Sequence, residues 1–122
     1  MVIKKEKVSW SIEAEKALLR ALGVDLEEVK RQVEAGSCEL WRYADGGYCV
    51  TRVEVAMTGD CELVIVASGV KRGAEKLADW LEFARQRGWS MRIHSKRKGM
   101  KAFVEKQGFQ VLETVYRWQN GR

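Results

Sequence analysis

The chain has 122 residues, 46% of them hydrophobic and 32% charged, with a formal net charge of +5. That is material for one packed core, and it holds no run of the roughly 20 apolar residues that a membrane-spanning helix needs. The first residues, MVIKKEKVSWSIEAEK, lack the apolar stretch of a secretory signal, so a soluble, cytoplasmic protein without a membrane partner is expected.

A basic balance favours acidic partners, phosphates or nucleic acid. Cys38, Cys49 and Cys61 form no C-x-x-C pair, and one histidine accompanies them. These are too few ligands for a tetrahedral zinc site, so no metal and reduced, buried thiols are expected.

In chain order, residues 2–8 read as a short strand. Residues 11–22 read as a helix, with Ser11 as N-cap, Gly23 just past the end, and Ile12, Leu18, Leu19 and Leu22 on its apolar side. A second helix follows. Asp25 and Glu28 have capping-box spacing, Leu26, Val29 and Val33 mark the apolar side, and Gly36 closes it in a left-handed conformation.

From residue 38 the period becomes that of strands: CELWRYA, GYCVTRVEVAM and CELVIVAS, separated by Asp45-Gly46-Gly47 and Thr58-Gly59-Asp60. The continuous apolar run of the third marks a central strand covered on both faces. A long helix over 71–87 follows, with Ala74, Leu77, Ala78, Leu81 and Ala84 as its inner face and Gly88 as its end. WSMRIHS is then a strand, 97–107 a helix with Met100, Phe103 and Val104 inward, and FQVLETVYRW the last strand.

The long helix between two strands is the crossover that a parallel pair requires. The reading is therefore an α+β fold, a mixed, mostly antiparallel twisted sheet with helices on both faces, in the order β-α-α-β-β-β-α-β-α-β.

That order, spread over nearly the whole chain, resembles the GNAT superfamily of acyl-CoA-dependent N-acyltransferases. GNAT proteins commonly join a short helix to a strand through a segment such as FYEKLGF, and Phe103-Val104-Glu105-Lys106-Gln107-Gly108-Phe109 looks like the same join. The residues explain it independently: Gly108 takes the positive φ that ends a helix, and Phe109 anchors the entering strand.

The resemblance implies a single GNAT-like domain over residues 1–122, acetyl-CoA or another acyl-CoA as cofactor, and an amine as acceptor. It places the pyrophosphate loop, Q/R-x-x-G-x-G/A in the family, at Gly69-Val70-Lys71-Arg72-Gly73-Ala74, where Lys71 and Arg72 add charge to a helix start that favours anions. Val66, Ala67 and Ser68 then offer backbone to the pantetheine arm. Gly69 stands for the family's Arg or Gln, and Arg72 for its first loop glycine. Val104 stands where GNAT enzymes often carry a tyrosine general acid, and Arg97 where an asparagine is frequent.

Acyl transfer to an amine needs a group that removes a proton from an ammonium. Glu54, taken as mid-strand, and Glu62 at the start of the following strand are the strand-borne candidates, against the alternative of solvated carboxylates. His94 is an acid or base by type, without a nucleophile motif beside it. Arg92, Lys96, Arg97, Lys98 and Lys101 form a basic run that suits the phosphorylated adenosine end of CoA, with Arg97 its leading residue, or a nucleic-acid backbone. Of the five tryptophans, at least one is expected to stay partly exposed, as in a ligand cleft or subunit contact.

The leading functional reading is an acyl-CoA-dependent N-acyltransferase or acyl-CoA-binding domain. Two alternatives stand beside it. One is a non-catalytic GNAT-shaped binding or assembly module of the kind a bacteriophage or mobile element encodes, and the other is a nucleic-acid-binding or nucleic-acid-modifying protein.

Overall fold

A computed structural model describes residues 3–94, 110–112 and 115–118. They form β1 (Lys5–Val8), α1 (Ile12–Leu22), α2 (Leu26–Glu34), β2 (Glu39–Tyr43), β3 (Tyr48–Val55), β4 (Cys61–Gly69), α3 (Gly73–Arg87), β5 (Ser90–His94), β6 (Gln110–Leu112) and β7 (Val115–Trp118). The helix expected over 97–107 and the 103–109 join lie outside the described residues, as do Arg97 and Val104.

Among the described residues the strands make one sheet in the order β1-β2-β3-β4-β5-β7-β6. Every neighbouring pair is antiparallel except β4 and β5, which run parallel and are joined through α3. The fold is thus α+β with a mixed sheet, and the apolar run of β4 does lie at its centre, with Leu63, Val64, Ile65 and Ala67 all buried.

Helices cover both faces. On one side Ala14, Leu18 and Leu22 of α1 and Leu26 and Val29 of α2 pack on Leu40, Val50 and Ala67. On the other, Leu77, Trp80, Leu81 and Ala84 of α3 pack on Leu63, Ile65, Met91 and Ile93. Each fully buried side chain of the size of Leu18 or Leu40 contributes about 1.5–3 kcal/mol.

The helix boundaries follow local chemistry where the caps form. Ser11 is extended, at φ −141° and ψ 165°, and its hydroxyl accepts from the Ala14 amide at 3.1 Å. Gly88 is left-handed at φ 72°, and its amide donates back to the last turn of α3.

Four expectations are corrected. The Asp25–Glu28 capping box does not form: Gly23–Asp25 is a 3-10 turn that leaves Asp25 at helical angles, with no side-chain cap. An N-cap needs extended backbone to aim its oxygen at the helix amides, and Glu28 instead pairs with Arg31 and accepts from Gln32.

The inner face of α1 is Ala14, Leu18 and Leu22, while Ile12 and Leu19 are exposed. The inner face of α3 is Lys76, Leu77, Trp80, Leu81 and Ala84, with Ala74 and Ala78 exposed. A wide indole buries more apolar area than two alanines and sets the rotation of the helix.

The segment read as one last strand is a pair. Gln110 is opposite Arg117 and Leu112 opposite Val115, so β6 and β7 are antiparallel neighbours, and β7 is the strand that pairs with β5.

Candidate functional site

β4 and β5 pair from Glu62 and Ser90 as far as Ile65 and Ile93. β4 then continues through Val66, Ala67, Ser68 and Gly69, where no strand of the described residues pairs with it on that side. At the same level β4 carries an extra residue. Val50 is opposite Ala67 and Thr51 opposite Ile65, leaving Val66 unmatched on β3.

Such a bulge bends its strand and re-aims the side chains. Ile65 packs on the α3 side of the sheet and Ala67 on the α1 side. Residues two apart on an unbroken strand share a face, so the bulge has turned the strand over.

A cavity of about 110 Å³ lies at this opening. Ile65, Val66, Ala67 and Ser68 of β4 and Ile93 of β5 form one wall, Gly73, Lys76, Leu77 and Trp80 of α3 another, and Ala21 of α1 reaches it from the opposite face of the sheet. The volume accommodates a small group or a few waters.

Two glycines allow the surrounding chain to converge. A Cβ on Gly69 would stand 2.2 Å from the Ala17 carbonyl oxygen, and one on Gly47 would stand 2.9 Å from a methyl of Val70. The loop from Gly69 to Ala74 then enters α3 through Arg72, left-handed at φ 53° and ψ 52°. The Arg72 carbonyl accepts from the amides of Glu75 and Lys76. The amides of Gly73 and Ala74 belong to those that a helix start leaves without an intrahelical acceptor, at its positive end. Arg72 itself is exposed and is not part of the cavity wall.

Below the opening the Trp80 indole donates to the Tyr43 hydroxyl at 2.7 Å, and both side chains are buried. Burial pushes the Tyr43 phenol above its ordinary range, with the Cys49 sulfur beside it adding to the effect. Burial also pushes the Cys49 thiol up to about 12. These groups are therefore neutral packing at any ordinary pH. Cys38 and Cys49 sit on opposite faces of the sheet, and neither is in a disulfide.

Lys76 was missed in the sequence. Its side chain is only 6% exposed, and its ammonium pairs with Asp45 in the β2–β3 turn, donates to the Lys71 carbonyl at 2.7 Å, and lies 5.4 Å from the centre of the Tyr43 ring. The hydrogen bond from Lys76 holds the Asp45 carboxyl below its ordinary value. The available signal was its position four residues before Trp80, on the same side of the helix.

Of the candidate cofactor residues, Val66, Ala67, Ser68, Val70 and Gly73 line the cavity. Lys71 is exposed at the rim, as is Ala74. Glu54 and Glu62 are elsewhere. They face each other across β3 and β4 and share Arg92, whose Nη1 donates to Glu62 at 2.9 Å and whose Nη2 donates to Glu54 at 3.0 Å.

Arg52 Nε adds a bond to Glu54 at 3.3 Å. Burial works against the charge of Glu54, but Arg92 and Arg52 outweigh it, and its carboxyl lies below the ordinary value. Glu54 is next to the last residue of β3 rather than at its middle. Glu62 is four residues before Val66, about 13 Å back along the strand. His94 closes β5 opposite Val115.

Among the described residues no cluster of side chains suits a metal ion, and no helix is long and apolar enough to cross a membrane. Four of the five tryptophans, Trp10, Trp41, Trp89 and Trp118, are half-buried, and Trp80 is buried.

No family sequence profile and no curated protein sequence matches the chain. Its three-dimensional structure does match solved ones. An acetyltransferase from Bacillus subtilis in complex with CoA superposes with a TM-score of 0.67 at 19% identity, over 91% of this chain and 78% of that one. For a putative acetyltransferase of the GNAT family from Desulfovibrio desulfuricans the values are 0.63 and 11%, over 97% of this chain and 99% of that one. For Arabidopsis thaliana Naa50 in complex with the bisubstrate analogue CoA-Ac-MVNAL they are 0.57 and 16%, over 96% and 97%. At such identities the likeness is one of fold, and with the mixed sheet and its single parallel pair among the described residues it leads to one statement: this chain has the fold of the GNAT acetyltransferases.

Proposed function

We propose that residues 1–122 form a single cytoplasmic GNAT-type domain that binds acetyl-CoA or another acyl-CoA and transfers its acyl group to an amine. The observation that carries this reading is the bulge at Val66, from which β4 runs on through Ala67 and Ser68 to Gly69, beside the cavity and the start of α3. The chain around it fits the cofactor in three respects: a strand edge that no strand of the described residues pairs with beyond Ile65, a cavity, and a helix start whose amides face an anion favourably.

In this reading the backbone of Val66, Ala67 and Ser68 receives the pantetheine arm as a sheet edge receives an added strand. The loop from Gly69 to Ala74 meets the pyrophosphate, and Arg97 with its basic neighbours takes the phosphorylated adenosine. Acyl-CoA supplies an activated thioester. The protein supplies orientation and a path for the acceptor's proton, and Glu54 and Glu62 are the carboxylates proposed to take it. Their distance from Val66 means that water relays it.

Calorimetry with acetyl-CoA tests the binding step, and an absence of heat at millimolar ligand overturns the reading. A second reading, a GNAT-shaped module without catalysis, is favoured by the hold of Arg92 on both carboxylates and by Val104 at the family's tyrosine position. Measured acyl transfer that disappears when the 69–74 loop is altered excludes it.

A further inference from the structure

The ammonium of Lys76 lies at the positive end of α3, where a cation is unfavourable. It is also almost wholly removed from water, which costs more than an apolar side chain of the same length would. Packing alone therefore gives no reason for a lysine there, although Asp45, the Lys71 carbonyl and the Tyr43 ring meet its charge.

Its surroundings give one. Lys76 and Tyr43 line the inner cavity and also an outer depression of about 220 Å³, where Lys4, Asp45, Arg72 and Glu75 are neighbours. The Lys76–Asp45 pair thus stands between the two spaces. Of its two members the aspartate is the more exposed, with a side chain 40% exposed on a hairpin turn where the Gly47 amide also donates to it. Lys76 is fixed by the Lys71 carbonyl and the Tyr43 ring. Removing Asp45 from the ammonium leaves a buried cation facing a cavity, with Lys71 and Arg72 on the adjoining loop.

We infer that Lys76 is an anion-binding residue of the cavity, and that Asp45 holds on its ammonium the place that a phosphate oxygen of the ligand takes. Binding exchanges a carboxylate for a phosphate at a fixed cation and lets Asp45 turn out to water. The inference rests on the acyl-CoA reading for the identity of that phosphate, the pyrophosphate of CoA, and it makes the β2–β3 turn responsive to the ligand.

The test is calorimetry of four proteins, Lys76→Met, Lys76→Arg, Asp45→Asn and the Lys76→Met/Asp45→Asn double variant, against CoA and separately against inorganic pyrophosphate. Losing a charge-assisted bond weakens CoA binding of Lys76→Met by about tenfold or more, while Lys76→Arg stays close to wild type. Asp45→Asn, freed of its competitor, binds more tightly by about threefold to tenfold, and the double variant matches Lys76→Met.

Unchanged CoA binding by Lys76→Met overturns the inference and leaves the acyl-CoA reading standing. So does a loss in Asp45→Asn equal to that in Lys76→Met, which marks a purely structural pair. If CoA fails to bind wild type but pyrophosphate binds with the same order of affinities, the acyl-CoA reading falls and the anion site stands. Failure of both probes overturns both. Should Lys76→Met lose its far-UV circular dichroism, the tightening in Asp45→Asn decides.

Discussion

The Trp80 indole and the Tyr43 hydroxyl meet at 2.7 Å beneath the cavity, tying the middle of α3 to the end of β2 across the face of the sheet. The contact extends into a row of aromatic rings, with Trp41 and Phe83 set edge-on to Trp80 at 5.3 and 5.5 Å. Tyr43→Phe removes the acceptor and leaves a buried indole N–H unpaired, which costs about 1–3 kcal/mol. Urea unfolding followed by tryptophan fluorescence measures it, and an unchanged midpoint would show that the bond contributes nothing.

Gly69 is a packing requirement of the site. Its φ is not in the left-handed region, and the constraint is the Ala17 carbonyl, 2.2 Å from where a Cβ would be. Backbone cannot yield as a side-chain end can, so Gly69→Ala forces α1 and β4 apart at about 1–3 kcal/mol. The same shift moves the loop into α3, so acetyl-CoA affinity falls together with the thermal midpoint.

Glu54 makes stability depend on acid pH. Its folded carboxyl sits below the ordinary value of 4.5 because Arg92 and Arg52 outweigh the effect of burial. A depressed carboxylate contributes stability that is fully present above the unfolded value and is lost as pH falls through the folded one. At pH 7 Glu54→Gln costs about 0.5–1 kcal/mol, since a side chain this exposed is partly screened. Below pH 4.5 the gap between wild type and variant closes, and a gap that stays constant in urea melts from pH 7 to pH 3 would contradict the assignment.

The thiols differ in reactivity. Cys49 is buried with its thiol at about 12, and burial raises that of Cys38 as well, while Cys61 is partly exposed. Reaction needs a thiolate and access. Ellman's reagent at pH 8 is expected to titrate Cys61 quickly in the native protein and the other two only on unfolding. Cys61→Ser removes the fast phase.

Local chemistry made much of the fold legible. Ser11, Gly36 and Gly88 sit where caps form, the 45–47 and 58–60 clusters sit at reversals, and period-2 stretches became strands. The misses arose where local patterns compete. Asp25 has a capping residue's chemistry, yet as the last residue of a 3-10 turn it is held at helical angles. Ala74 and Ala78 fit the period of α3 as well as Lys76 and Trp80 do, and only the breadth of the indole on the sheet decided between them.

The order of elements and a family likeness point to the 66–74 stretch, and Val66, Ala67, Ser68, Val70 and Gly73 of it line the cavity. The bulge at Val66 leaves no mark in VIVA, because a run apolar on both faces carries no alternation from which a change of register can be read. Lys76 resembled any surface lysine, and Glu54 and Glu62 looked available until Arg92, 38 and 30 residues away in sequence, was found between them.

The sequence by itself determined the type and order of most described elements and which strands adjoin a crossover, since periodicity, capping and turn residues act over a few positions. Tertiary structure decided where β4 bulges, which face of α3 turns inward, and which charges meet. Each of these depends on shape and charge brought together from distant parts of the chain, and no short window of residues contains that information.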